Sequence, residues 1–316
     1  MPTNKDVEIR VKGISHRYNS QPAVNDVSFC LEGRKITGLL GANGAGKSTI
    51  MNIMCGCITP TAGDVCINGY SIRENPVEAK RQIGFLPQKP PLLMDLTVEE
   101  YLRHTARLRM VPGIRAAVEE ALEKCAIAHF RKRLIKHLSG GYQQRVGIAQ
   151  AIIHKPSFIV LDEPTNGLDP MQIIEIRKLI KEISSECLVM LSTHILHEVQ
   201  LACEHILMMS TGELIFNGSI NDFNMSVSPK SVIVNIAELD GLSAIAAVPG
   251  ITAVEPVLDH PDTYRIDFDG AADDICEMIV RSAADNGWHL REITKEMPSA
   301  DDIFKYLTAK PHIKEE

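Results

Sequence analysis

The run Gly41-Ala42-Asn43-Gly44-Ala45-Gly46-Lys47-Ser48 has the spacing G-x-x-x-x-G-K-[ST], a set of residue types suited to holding phosphate. Its glycines let the backbone curl so that successive N–H groups point inward, and a helix starting there adds the partial positive charge of its N-terminus. On this spacing Lys47 reaches the β- and γ-phosphates of a nucleoside triphosphate, Ser48 ligates Mg2+, and Thr49 adds a hydroxyl near the α-phosphate. A second element, Phe158-Ile-Val-Leu161 followed by Asp162 and Glu163, is an apolar run ending in two acids. Alone it reads equally as a strand that ends in solvated carboxylates. Beside a phosphate loop, Asp162 is placed to hold Mg2+ directly or through water. Glu163 can then poise a water for in-line attack on the γ-phosphate, which makes it the candidate general base. A third element, Leu138-Ser139-Gly140-Gly141-Tyr142-Gln-Gln-Arg145, puts a hydroxyl and bare amides at the start of a helix, a second anion site. One chain has no need of two such sites for one triphosphate.

These elements together resemble the ATP-binding cassette (ABC) ATPases, whose signature motif is the stretch at Ser139. The resemblance runs from about residue 7 to residue 220. It implies that two copies face each other head to tail, each ATP lying between one P-loop and the other copy's signature. Ser139, Gly140 and Gly141 would then act on the γ-phosphate in trans. Tyr142 stands where this family more commonly has glutamine. By the same resemblance Tyr18 is the aromatic that stacks on adenine, although alone it reads also as a strand-edge tyrosine. Gln88, in Leu86-Pro87-Gln88, matches the Q-loop glutamine, which contacts Mg2+ or the attacking water and links to a helical insertion. Asp169, in Asn166-Gly-Leu-Asp169-Pro170, falls in the D-loop, which touches the other copy. His194, in Ser192-Thr193-His194, matches the switch histidine, which contacts the γ-phosphate and steadies Glu163; taken alone it reads as a structural histidine. Within the family, the stretches from Gly147, Pro170 and Ser192 look most like the gliding-motility type. The ending Pro298-Ser-Ala-Asp-Asp-Ile-Phe304 resembles the drug-, lipid- and polysaccharide-exporter branch.

Such a site needs a frame, and hydrophobic periodicity supplies one. Val7–Val11 and Val27–Leu31 read as short strands around the turn-rich Asn19–Pro22, and Lys35–Leu40 as a buried strand entering the P-loop. A helical stretch runs from Lys47 to Cys55, and a largely helical region from about Leu92 to Gln150, with Thr97 and Glu100 spaced as a capping box. Strands at Phe158–Leu161 and Leu188–Leu191 then alternate with helices at Met171–Ser184 and His194–Ala202. A hairpin, Ile206–Met209 with Glu213–Phe216, closes the run. The fold class is therefore α/β: a P-loop cassette on a mostly parallel sheet with a helical insertion. Residues 1–224 form the nucleotide-binding domain on this reading, with the helical subdomain at about 92–150. After a linker, Met225–Pro229, residues 225–316 read as a small α+β accessory domain. Its order is strand 231–236, helix 239–248, strands 251–257 and 263–268, helix 271–285, strand 289–295 and helix 300–309, the ferredoxin-like βαββαβ pattern. It carries no chemical constellation, which suits a regulatory or interaction role.

Composition narrows the function class. The 316 residues suffice for about two domains, and 45% hydrophobic with 23% charged residues is globular composition. A net charge of −7 gives no global basic field, so no nucleic acid partner is expected. The arginines and lysines between Arg103 and Lys136 read as a solvated helical face balanced by Glu119, Glu120 and Glu123, with contact to a permease or anionic headgroups as the alternative. The eight cysteines lack metal spacing and read as reduced thiols used as small hydrophobes. No apolar run long enough to span a bilayer and no leader is seen, so the chain is not expected to span a membrane or enter the secretory route by itself. The family resemblance implies a peripheral location on the cytoplasmic side of the inner membrane. The expected function is an ATPase (cofactors ATP and Mg2+) that dimerises on ATP and powers a separate membrane permease, an exporter. A soluble ATPase remodelling ribosomes or DNA, and a nucleotide-gated regulatory module, are the alternatives.

Overall fold

The structure, a computed structural model, describes residues 7–226, 229, 231–237, 245–257 and 260–296. Contacts divide the chain between Ile220 and Asn221, four residues before the boundary expected from composition.

In the first unit, β1 (Glu8–Tyr18) and β2 (Gln21–Glu32) form one long antiparallel hairpin, registered from Glu8 opposite Glu32 to Tyr18 opposite Gln21. The sequence shows only the outer ends of these strands. Register shifts between Val11 and Arg17, with Gly13 at φ 58, break the alternation that would have revealed the rest. The fully buried β3 (Ile36–Leu40) leads into α1 (Lys47–Met54). Next come β4 (Ala62–Ile67), β5 (Tyr70–Ser71), α2 (Pro76–Arg81) and β6 (Ile83–Leu86), none of which the sequence reading anticipates. The helical insertion holds α3 (Val98–Leu108), α4 (Ile114–Lys124) and α5 (Gly140–Ile152). It is followed by β7 (Phe158–Asp162), α6 (Pro170–Ser184), β8 (Leu188–Thr193), α7 (Leu196–Ala202), β9 (His205–Ser210) and β10 (Glu213–Ser219); α8 (Ile220–Ser226) starts at the boundary and belongs to the second unit from Asn221 on.

Two sheets result. A four-stranded antiparallel sheet runs β2-β1-β4-β5, and a six-stranded one runs β10-β9-β3-β8-β7-β6, parallel except for the β9–β10 hairpin. Side chains from both sheets and α1 share one core, including Ile9, Leu31, Leu39, Ile50, Met54, Ile67, Phe158 and Met190. The parallel register sets Leu86 beside Leu161, Asp162 beside Ser192 and Leu40 beside Thr193. The C-terminal ends of β3, β6, β7 and β8 therefore lie in a row, where open parallel sheets bind ligands.

Within the insertion the capping box at α3 forms as the sequence suggests: Thr97 Oγ1 accepts from Glu100 N at 3.3 Å and Glu100 Oε2 accepts from Thr97 N at 2.9 Å. Residues 92–97 and 125–139 are not α-helical and interrupt the largely helical region. Their backbone groups pair across the fold instead, Val98 N with Arg133 O at 3.1 Å and Ile135 N with Leu96 O at 3.0 Å. Part of the basic face is charge-balanced, by Glu119 as expected and by Glu99 and Asp95 besides. Arg131 reaches Glu119 at 2.5 Å and Glu99 at 3.3 Å, Arg103 reaches Glu99 at 2.6 Å, and Lys136 reaches Asp95 at 2.8 Å. Helix α5 presses on β6 at Gly84, where an added Cβ would run into the Ala151 carbonyl and the ring of Pro156. Gly84→Ala is accordingly expected to cost about 1–3 kcal/mol through overpacking of a backbone contact that cannot retreat. Urea unfolding measures it; an unchanged midpoint would mean that α5 is free to shift.

The second unit builds a four-stranded antiparallel sheet from β11 (Ser231–Ala237), β12 (Ile251–Pro256), β13 (Thr263–Phe268) and β14 (His289–Glu296), ordered β12-β13-β11-β14. Its helix α9 (Ala272–Asn286) buries Ile275, Ile279 and Ala283, spaced four apart, against Val232, Val234, Ile236, Ile266 and Phe268, with Trp288 packed at the margin. Most of the expected helix 239–248, the closing helix 300–309 and part of the expected linker lie outside the described residues. Met225 and Ser226 close α8 rather than opening a linker.

Cys55, Cys125, Cys187 and Cys203 are buried, and burial pushes the last three thiols up to about 12. Cys30 and Cys57 depart from the expectation, because both are exposed and pack no core. No helix among the described residues is long and apolar enough to cross a membrane.

Candidate active site

The loop between β3 and α1 is shaped by backbone that other residues would obstruct. Gly46 adopts φ 99, and a Cβ there would stand 2.5 Å from Ala23 O; a Cβ on Gly41 would stand 2.5 Å from Met209 O. Ala45 is buried and its carbonyl accepts from Gly212 N at 3.0 Å, so the β9–β10 turn braces the loop. Ala42, Asn43 and Gly44 face solvent, as does Ser48, while Thr49 is half-buried. Lys47 is only 6% exposed, and its Nζ donates to Gly41 O at 2.7 Å and Ala42 O at 3.1 Å. Burial lowers its pKa, opposed by the charges of Glu163 and Asp162. The loop after β3 and the acids ending β7 stand at the same edge of the parallel sheet, one strand apart.

At the end of β7, Asp162 is 5% exposed and its Oδ1 accepts from Ser192 Oγ at 2.6 Å, which leaves Oδ2 with no protein donor among the described residues. The chain then turns sharply. Glu163 takes φ 48, an unusual conformation for a residue with a side chain, and its N–H donates to the same Ser192 Oγ at 2.9 Å. This turn aims the Glu163 carboxylate at His194, whose Nδ1 lies 3.0 and 3.1 Å from its two oxygens. His194 precedes α7 rather than opening it as the periodicity suggests. Thr193 Oγ1 accepts from Ile195 N at 3.1 Å across the bend at His194, and Ile195 itself is extended.

The structure thus brings Lys47, Asp162, Glu163 and His194 together. Gln88 is exposed two residues beyond β6, at the same sheet edge, and makes no hydrogen bond among the described residues. Tyr18 is 49% exposed at the tip of the β1–β2 hairpin, edge-on to His16 at 4.8 Å between ring centres. Asp169 is occupied locally: its Oδ1 accepts from Gln172 N at 2.9 Å and caps α6. Ser139 is the N-cap residue of α5 with no side-chain cap bond, and Ser139 and Gly140 are exposed. A Cβ on Gly140 would meet open space, whereas Gly141 is buried against the Gln172 side chain. This segment stands beside α6 and the loop after Glu163, since Gln144 Nε2 donates to Pro164 O at 2.9 Å and Arg145 pairs with Glu175 at 2.7 Å. No hydrogen bond joins it to the P-loop among the described residues. Tyr142 rests in an aromatic cluster, 4.5 Å from Phe130 and 5.8 Å from His129 between ring centres.

Ser48, Gln88 and Asp162 offer only oxygen donors, the set that suits Mg2+ rather than a softer ion. Ser192, which ties Asp162 to Glu163, is absent from the expected site. A fully buried hydroxyl at the end of the apolar strand β8 is the signal that could have found it.

Comparison with known proteins agrees with this geometry. Residues 24–166 match the family described as ABC transporter. The bacitracin transport ATP-binding protein BcrA of Bacillus licheniformis is 35% identical over 209 residues, 66% of this chain and 68% of its own. The linearmycin resistance ATP-binding protein LnrL of Bacillus subtilis (strain 168) is 27% identical over 306 residues, 96% of this chain and 98% of its own. Among solved structures, a dimeric ATP-binding cassette in a post-hydrolysis state bound to ADP and Pi superposes with a TM-score of 0.61 at 26% identity, over 67% of this chain and 98% of that one. A phosphate-binding loop, paired acids and a histidine converging at one sheet edge, in a chain with these relatives, make it a member of the ABC transporter family, an ATP-binding subunit of the ATP-hydrolysing kind.

Proposed function

We propose that the chain drives a separate membrane permease of the exporter type by ATP-dependent closure and hydrolysis-dependent opening of two head-to-tail copies. The observation that carries this reading is the Glu163 carboxylate, fixed by its own backbone turn, by Ser192 and by His194 beside the P-loop lysine. Glu163 serves as general base for the attacking water, and His194 holds that carboxylate and contacts the γ-phosphate. Lys47 and the amides of Gly41 through Thr49 bind the phosphates, and Tyr18, exposed at its hairpin tip, stacks on adenine. Ser48, Gln88 and Asp162 hold Mg2+, which when bound supplies charge neutralisation on the phosphoryl oxygens. Ser139, Gly140 and Gly141, exposed or opening a helix without bonds to their own P-loop, complete the other copy's site, with Asp169 shaping the loop at the junction. Residues 1–224 act as the nucleotide-binding domain, 92–150 as its permease-facing helical part, and 225–316 as an accessory domain. The chain then sits peripherally on the cytoplasmic face of the membrane. The relatives' names, bacitracin transport and linearmycin resistance, support the exporter reading.

Steady-state phosphate release by the full chain, alone and with membranes containing its permease, tests the proposal. Turnover is expected in both, higher with the permease, lost on chelation with EDTA and restored by excess Mg2+. Turnover indifferent to EDTA would remove the metal from the reading; turnover indifferent to the permease would remove the coupling.

A further inference from the structure

Glu198 is a second acid at this sheet edge that the expected site does not include. It lies in the first turn of α7, is 8% exposed, and forms no ion pair among the described residues. Its Oε2 accepts two hydrogen bonds from different segments, Thr165 Oγ1 at 2.8 Å and Thr193 Oγ1 at 3.1 Å. Thr165 belongs to the turn just past Glu163, closed by Asn166 N donating to Glu163 O at 3.2 Å. Thr193 immediately precedes His194, and its Oγ1 also accepts from Ile195 N at 3.1 Å, so it grips the backbone on both sides of the histidine. One carboxylate oxygen thus ties the segment carrying the base to the segment carrying the histidine that steadies it.

We propose that Glu198 is a positioning residue for ATP hydrolysis, holding the Glu163 turn and the His194 segment in the register that keeps their side chains at 3.0 Å. The proposal rests on the roles given to Glu163 and His194 above. A buried carboxylate without a cation is costly, and here its compensation is the two hydroxyls. Without it Thr165 and Thr193 lose their common acceptor, and the base and histidine no longer share a fixed geometry. Among the described residues no side-chain hydrogen bond joins Lys47 or the phosphate loop to this network, so nucleotide binding should be insensitive to it.

The test uses the full chain with Glu198→Ala, Glu198→Gln, Thr165→Val and the double variant Glu198→Ala/Thr165→Val, with Glu163→Gln as a parallel arm. Expected is a fall in kcat of about 10- to 100-fold for Glu198→Ala, the scale of a misplaced catalytic group, with ATP affinity within about twofold of the parent. Glu198→Gln should retain most turnover, because its amide oxygen still accepts from both hydroxyls. The double variant should be no slower than Glu198→Ala alone, because both changes break one link. Equal losses in kcat and affinity, multiplicative effects in the double variant, or a Gln variant as slow as the Ala variant would each overturn the proposal. If Glu198→Ala fails to fold, Thr165→Val and Glu198→Gln decide: normal kcat in Thr165→Val, or a large loss in the Gln variant, overturns it. Should Glu163→Gln keep normal turnover, the underlying reading of the site fails instead, whatever the Glu198 variants do.

Discussion

Glu163→Gln is expected to lower ATP turnover by roughly 100- to 10,000-fold, the range that a positioned general base contributes, while ATP affinity stays within about twofold. Glutamine keeps the shape of the side chain and leaves the backbone bond from residue 163 to Ser192 intact. It also keeps an oxygen for His194, so what is lost is the ability to take a proton, together with the negative charge that acts on Lys47. Phosphate release measures the first quantity and equilibrium binding the second. Turnover within a few-fold of the parent would assign the proton to another group. Weakened binding of the same size would mean that Glu163 shapes the phosphate site rather than the chemistry.

Lys47→Ala is expected to weaken ATP binding by about 10- to 100-fold, the worth of a charge-assisted hydrogen bond to phosphate in a partly desolvated site. The ammonium is held over the loop by Gly41 O and Ala42 O, so it is preorganised and binding costs little side-chain entropy. Its lowered pKa gives the sign of the pH effect. Burial disfavours the charged form, so affinity should decline as alkaline pH removes the proton, beginning below the ordinary lysine range and absent from the alanine variant. Isothermal titration across pH measures both, with thermal unfolding as a check on the fold. Affinity unchanged in Lys47→Ala would show that the backbone amides alone hold the phosphates.

Much of this site could be read in the sequence because its parts are local. Gly41 through Ser48 and Leu161-Asp162-Glu163 each sit where a buried apolar strand ends, and an apolar run is visible without knowing its neighbours. What the sequence hides is non-local or weakly patterned. Ser192 and Glu198 act through partners about 30 residues away, and nothing in a serine or a glutamate states which hydroxyl or amide it will meet. The β4–β6 region is missed because its strands are short and β4 mixes burial states along its length. Asp169 shows the reverse error of scale: a residue noted for contact between copies is, within the chain, the cap of α6.

The central claim is that two copies complete each other's sites, and solution mass measures it most directly. Glu163→Gln should have the mass of two chains in light scattering with saturating Mg·ATP and of one chain without nucleotide. Adding a bulky Ser139→Arg change to it should abolish the shift while ATP still binds. A single-chain mass for Glu163→Gln under saturating Mg·ATP, alone and when bound to its permease, would contradict the account.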